Sequence, residues 1–112
     1  MREAFYVYIM ASTNRHTIYI GMTNSLLARI QQHRRQDSGS FSAQYHTLHL
    51  VYYEVFHDVR DAIARETQIK KWRRQKKDGL IGRMNPRWED LSAEILEELP
   101  KMDDPLSPEE MS

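Results

Sequence analysis

Two aromatic, β-branched runs lie so close together that they leave the start of this chain little choice of fold. Residues 4–10, Ala-Phe-Tyr-Val-Tyr-Ile-Met, are of the types that favour an extended, half-buried backbone, and Ile18-Tyr19-Ile20-Gly21 follows within the next stretch, 17–21. The polar break between them, Ser12-Thr13-Asn14-Arg15-His16, is turn-forming. Two short strands with so brief a connection pair most simply as an antiparallel hairpin. Side chains alternate along a strand, so Tyr6 and Tyr8 share one face, and Tyr19 and Gly21 share one face of the next strand. Register decides whether those faces coincide.

Further along, Asn24 or Ser25 is placed to cap a helix running to about Arg35. Residues 36–47 read as a loop, and His49 to Phe56 as a third strand. Asp58 supplies an N-cap and Asp61 a first-turn acid for a helix over 59–74. A shorter helix over 76–84 carries Gly79 and Gly82 and ends at Asn85-Pro86. An amphipathic stretch at 92–99 precedes a tail containing Pro100, Pro105 and Pro108, which is expected to be disordered. The 112 residues make one domain. The expected class is α+β: a small, mainly antiparallel three-stranded sheet flanked by helices over residues 1–91, then a short helix and acidic tail over 92–112.

Composition excludes several classes of function. There are no cysteines, hence no disulfide framework and no thiolate metal site, which suits a reducing cytosol. No run is long and apolar enough to span a membrane, so a soluble cytoplasmic protein is expected. The net charge of zero conceals an asymmetry. Residues 1–88 carry fifteen Lys and Arg against seven Asp and Glu, a balance of +8, and residues 89–112 carry one against nine, a balance of −8. A body of +8 points to a polyanionic partner. The densest basic run is Lys70, Lys71, Arg73, Arg74, Lys76 and Lys77, with Arg65 just before it and Trp72 among them. Such a run tracks a nucleic-acid backbone, and Trp72 either stacks on a base or belongs to the core.

Arg29 and His33 are four residues apart, so they project from one face of the first helix, at the edge of the apolar arc of Leu26 and Ile30. Alone they read as a solvated basic face, because Arg34 and Arg35 follow. Glu66 is more telling. It lies near the centre of an arc formed by Val59, Ala62, Ile63 and Ile69, and carboxylates are seldom buried without a partner. It either pairs with Lys70, one turn on, or binds a divalent cation.

Taken in order, Tyr6-Val7-Tyr8, Tyr19-Ile20-Gly21, Arg29 with His33, Glu66 and Asn85-Pro86-Arg87-Trp88 resemble the GIY-YIG nucleases, in particular small stand-alone bacterial members similar to the nicking domain of the bacterial excinuclease. The resemblance covers residues 4 to about 91. One departure stands out: Tyr6 occupies the position where the family expects glycine. The resemblance implies a divalent-metal-dependent endonuclease or nickase acting on DNA, with repair or recombination as its setting, or on RNA. It implies that Tyr8 and His33 handle protons, that Arg29 and Tyr19 meet the phosphate, that Glu66 holds Mg²⁺ or Mn²⁺, and that Gly21 and Asn85 support the site. A domain of this size has no room for a specificity module, so specificity is expected from a protein partner, a homodimer or substrate shape. Two other readings stay open: a nucleic-acid-binding module without turnover, and an adaptor that binds proteins through its acidic tail.

Overall fold

The computed structural model describes residues 3–37 and 48–97. The tail from residue 98, and residues 38–47 of the loop expected over 36–47, lie outside the described residues; residues 36 and 37 belong instead to the end of the first helix. Three strands, β1 (Phe5–Ser12), β2 (Ile18–Thr23) and β3 (Leu48–Phe56), form an antiparallel sheet in the order β2-β1-β3. Among the described residues four helices accompany it: α1 (Leu26–Asp37), α2 (Val59–Lys70), α3 (Arg74–Met84) and α4 (Ser92–Glu97). The central place of β1 explains its sequence. A strand paired on both edges and covered on both faces reads as a continuous apolar run rather than an alternating one, and Val7 to Ser12 are all buried.

The two faces carry separate cores. On one, Val7, Ile9, Ala11, Ile20 and Val51 pack against Ala62 and Ile69 of α2 and Ile81 of α3. On the other, Tyr8, Met10 and Leu50 pack against Leu26 and Ile30 of α1, with Leu91 and Ile95 from the α4 region at the margin. Helix α4 therefore closes over the same core as the rest of the domain.

Side-chain capping explains the starts of α1 and α2. Ser25 Oγ accepts from the Ala28 amide at 3.2 Å, and Asp58 accepts from the Arg60 amide at 2.9 Å. The second helix stops four residues earlier than the sequence predicts, at Lys70 rather than 74. The Lys71 and Trp72 amides turn back onto Gln68 and Ile69 carbonyls, the chain leaves the helix, and Trp72 packs against the core. Helix α3 then starts at Arg74, two residues sooner than predicted, with Arg73 as its N-cap. The predicted apolar arc of α2 is also rotated. Ala62 and Ile69 are buried, whereas Val59 and Ile63 are 37% and 48% exposed.

Two irregular features brace the sheet. Between Ile9 and Met10 the β1–β3 register jumps, because Ile9 faces Tyr52 while Met10 faces Leu50, so Val51 is an extra, bulged residue. Its carbonyl accepts from Asn85 Nδ2 at 3.1 Å. The same amide group donates to the Glu89 carbonyl at 2.7 Å, and Asn85 Oδ1 accepts from the Glu89 amide at 3.0 Å. The second brace is at the β1–β2 turn, where Arg15 adopts φ 65°. Arg74 donates to the Arg15 and His16 carbonyls, Arg15 donates to the Arg87 carbonyl, and the Arg15 guanidinium lies 5.3 Å over the Trp88 ring. Trp88 is itself left-handed at φ 55°. Left-handed non-glycine residues cost about 1–3 kcal/mol each and persist where their surroundings over-determine them.

Candidate active site

Register settles how the two tyrosine motifs meet. Tyr8 lies opposite Gly21, Met10 opposite Tyr19, and Tyr6 opposite Thr23. Directly opposed residues project from the same face, so Tyr8, Tyr19 and Gly21 share a surface. The Tyr8 ring lies over Gly21 and beside Tyr19, with ring centroids 6.1 Å apart. A Cβ at position 21 would stand 2.6 Å from the Tyr8 hydroxyl, 2.7 Å from Cζ and 3.0 Å from Tyr19 Cε1. Glycine is required here by close approach, since its φ is not positive.

Tyr8 is buried, whereas Tyr19, on the edge strand, is 49% exposed. Burial pushes the Tyr8 phenol up to about 12. The neighbouring Tyr19 adds to the rise by charge and by hydrogen bond, Arg29 opposes it, and Glu66 raises it further. Tyr8 therefore feels groups from β2, α1 and α2 at once. Tyr8, Tyr19 and Gly21 are in contact, and the charges of Arg29 and Glu66 reach the Tyr8 phenol across as many as 58 positions of sequence.

Arg29 is partly buried and donates through Nη1 to Gln32 at 3.0 Å. Glu66 Oε2 lies 3.1 Å from Lys70 Nζ, with side-chain exposures of 21% and 54%. His33 falls on α1, one turn beyond Arg29; its side chain lies outside the described set. Among the described residues, no three His, Cys, Asp or Glu side chains gather around a common metal position. One half-buried carboxylate among phenols and an arginine is a donor set that suits a hydrated Mg²⁺ or Mn²⁺, which keeps several waters and shares substrate phosphate oxygens.

Several side chains of the basic run are already engaged. Lys70 faces Glu66, Arg74 is tied to Asp78 at 2.6 Å and to the β1–β2 turn, and Lys76 sits 4.3 Å over the Trp72 ring. Lys71, Arg73 and Lys77 enter no ion pair among the described residues. Arg65 departs from its expected place in the nucleic-acid-binding run. Its Nε and Nη2 donate to both Glu54 oxygens at 2.9 to 3.2 Å, and the Tyr52 hydroxyl donates to the same carboxylate. Burial pushes the Glu54 carboxyl up, but the bonds from Arg65 and Tyr52 outweigh it and hold the group below its usual range. Asn85 lies at the Val51 bulge, where it acts on the backbone. Tyr6, in the place of the family glycine, leans against Tyr53 with ring centroids 6.5 Å apart.

Sequence reasoning did not find the Tyr52–Glu54–Arg65 cluster. Alternation along β3 puts Tyr52 and Glu54 on one face, but nothing in the sequence indicates which helix residue meets them.

The chain belongs to the GIY-YIG catalytic domain family, a family of nucleases, and matches it over residues 4–78. It is 32% identical over 79 residues to UPF0213 proteins of Staphylococcus aureus strains Mu3, Mu50 and N315, an alignment covering 70% of this chain and 95% of each relative. No solved structure matches. Among the described residues no helix is long and apolar enough to cross a membrane.

Proposed function

We propose that this protein is a divalent-metal-dependent endonuclease or nickase that hydrolyses phosphodiester bonds in DNA. The observation that carries the reading is the convergence of Tyr8, Tyr19, Arg29 and Glu66 around a glycine that leaves space for the Tyr8 ring. Hydrolysis must move one proton away from the attacking water and deliver one to the leaving oxygen. Tyr8 and His33 take those two tasks. Arg29 offers a planar fork to the phosphate, and the exposed Tyr19 hydroxyl orients it. Glu66 is the residue to hold Mg²⁺ or Mn²⁺, which when bound supplies positive charge to the phosphoryl oxygens and acidifies water. With its phenol pushed up to about 12, Tyr8 is a neutral hydrogen-bond donor at neutral pH. Positive charge at Glu66 would reverse the upward push that this carboxylate exerts on Tyr8.

The test is nicking of supercoiled plasmid and cleavage of labelled single-stranded and branched oligonucleotides with Mg²⁺, Mn²⁺ or EDTA. Wild type is expected to yield metal-dependent products, and folded Glu66→Ala to yield none. Cleavage that persists in Glu66→Ala would remove Glu66 from the reaction. A second reading, a binding module without turnover, draws support from the Glu66–Lys70 pair, which already satisfies one oxygen of the carboxylate. Binding of every substrate without products would favour it.

A further inference from the structure

Beside α2 and α3 lies a groove of about 340 Å³, lined by Arg65, Trp72, Lys76, Gly79, Leu80 and Arg83. Its volume falls at the lower end of the range of about 300–1,000 Å³ usual for small-ligand sites. The groove is open at Gly79, where an added Cβ would meet nothing within 4 Å. A glycine inside a helix costs roughly 0.5–1 kcal/mol relative to alanine, and here no packing contact demands it.

The charges around the groove are of two kinds. Arg65 sits 5.3 Å over the Trp72 ring, but its guanidinium is held by both Glu54 oxygens and by Gln68. It fixes the indole and offers no spare charge. Lys76, 4.3 Å over the same ring, and Arg83 pair with no carboxylate among the described residues. The groove thus combines a fixed aromatic surface, an apolar wall at Leu80 and two unmatched cations. Lys76 has a flexible four-carbon stem, so it can leave the indole while its ammonium stays at the rim.

We propose that this groove binds one unpaired nucleotide of a single-stranded or flapped nucleic acid, the base stacked on Trp72 and its phosphate between Lys76 and Arg83. The proposal rests on the nucleic-acid reading of the preceding subsection and adds a substrate class to it. A base within a duplex is stacked on both faces and does not offer itself to an indole, whereas an unpaired base does. Arg65 and Glu66 are adjacent on α2 and point about 100° apart. A strand crossing that helix would have its unpaired nucleotide on one side and its scissile phosphate on the other.

The experiment uses the full chain in EDTA, so that binding is read without cleavage. Fluorescein-labelled oligo-dT and a blunt duplex of equal length are titrated by anisotropy at fixed salt, with tryptophan emission followed in parallel. Wild type is expected to bind oligo-dT with quenching of tryptophan emission. Gly79→Leu fills the groove without altering charge and is expected to lower the ratio of single-strand to duplex affinity about tenfold, the scale of one lost stacking contact. Gly82→Ala, on the same helix but outside the groove, should leave that ratio unchanged. Trp72→Phe should keep most of the preference and Trp72→Leu should lose it. An unchanged ratio in Gly79→Leu overturns the proposal, as does polyglutamate displacing oligo-dT and quenching the same emission, which would mark a general anion site. If wild type binds neither nucleic acid, the nucleic-acid reading itself fails. Duplex binding without single-strand preference overturns only the groove.

Discussion

Gly21→Ala is the smallest change that tests whether the two tyrosine motifs form one unit. The added methyl would sit 2.6 Å from the Tyr8 hydroxyl and 2.7 Å from Cζ, well inside ordinary contact. Tyr8 cannot easily retreat. It is 1% exposed, with Met10, Leu26, Ile30 and Leu50 packed around it. Overpacking of this kind costs about 1–3 kcal/mol. Against it, alanine in place of a glycine of ordinary φ returns roughly 0.4–1 kcal/mol through the unfolded chain. The net expectation is a loss of up to about 2.6 kcal/mol, read as a lower urea midpoint with unchanged m-value. Plasmid nicking should fall further than stability does, because the displaced groups are the phenols themselves. Tyr8→Phe in the same chain removes the nearer clash but leaves Cζ, so the double variant should recover only part of the lost stability. Gly21→Ala with wild-type stability and wild-type nicking would refute the argument that close approach fixes this glycine.

Three further outcomes follow from the geometry. Tyr8 and Tyr52 are both pushed up to about 12, chiefly by burial, so the native state holds protons that the unfolded chain releases near 10; the stability they contribute is complete below pH 10 and is lost as pH rises towards 12. Urea midpoints at pH 8, 10 and 11.5 should fall in that order, and a constant midpoint would contradict the assignment. Asn85→Ala orphans the Val51 and Glu89 groups it now satisfies and should cost about 1–3 kcal/mol in urea unfolding, with Asn85→Asp no better because it faces two carbonyls with a carboxylate. Lys70→Met frees Glu66 from an ion pair of the kind that contributes about 0.2–1 kcal/mol, so Mn²⁺ affinity by calorimetry should rise by up to about fivefold; a fall would show that Lys70 helps to build the site.

Much of this architecture could be read before any coordinates. The hairpin, the third strand and the helix starts at Ser25 and Asp58 follow from β-branched runs and capping residues, which act locally. The position of the α2–α3 break does not, since the sequence puts that break near residue 75. Residues 71–73, Lys-Trp-Arg, contain neither glycine nor proline, and the chain leaves the helix because Trp72 gains more by packing on the core than by continuing the spiral. Of the candidate site, residue types and order were legible. Their convergence was not, because it depends on the Tyr8–Gly21 register and on the side on which α2 packs. Arg65 shows the opposite failure, since a cation counted towards a ligand turned out to face Glu54, eleven residues earlier.

The family match ends at residue 78, yet the fold does not. Arg15 reaches across 72 positions to the Arg87 carbonyl and shelters Trp88, while Asn85 holds the bulge on β3 and Leu91 donates to the Leu50 carbonyl at 2.7 Å. Residues 85–91 thus clamp the first hairpin, through Arg87 and Trp88, and β3, through Asn85 and Leu91. A fragment cut at the family boundary would keep Tyr8, Tyr19, Arg29 and Glu66 but lose the clamp, leaving Arg74 to brace the turn that joins the two tyrosine strands. Any transplant of this domain into another protein must carry residues 79–97 with it.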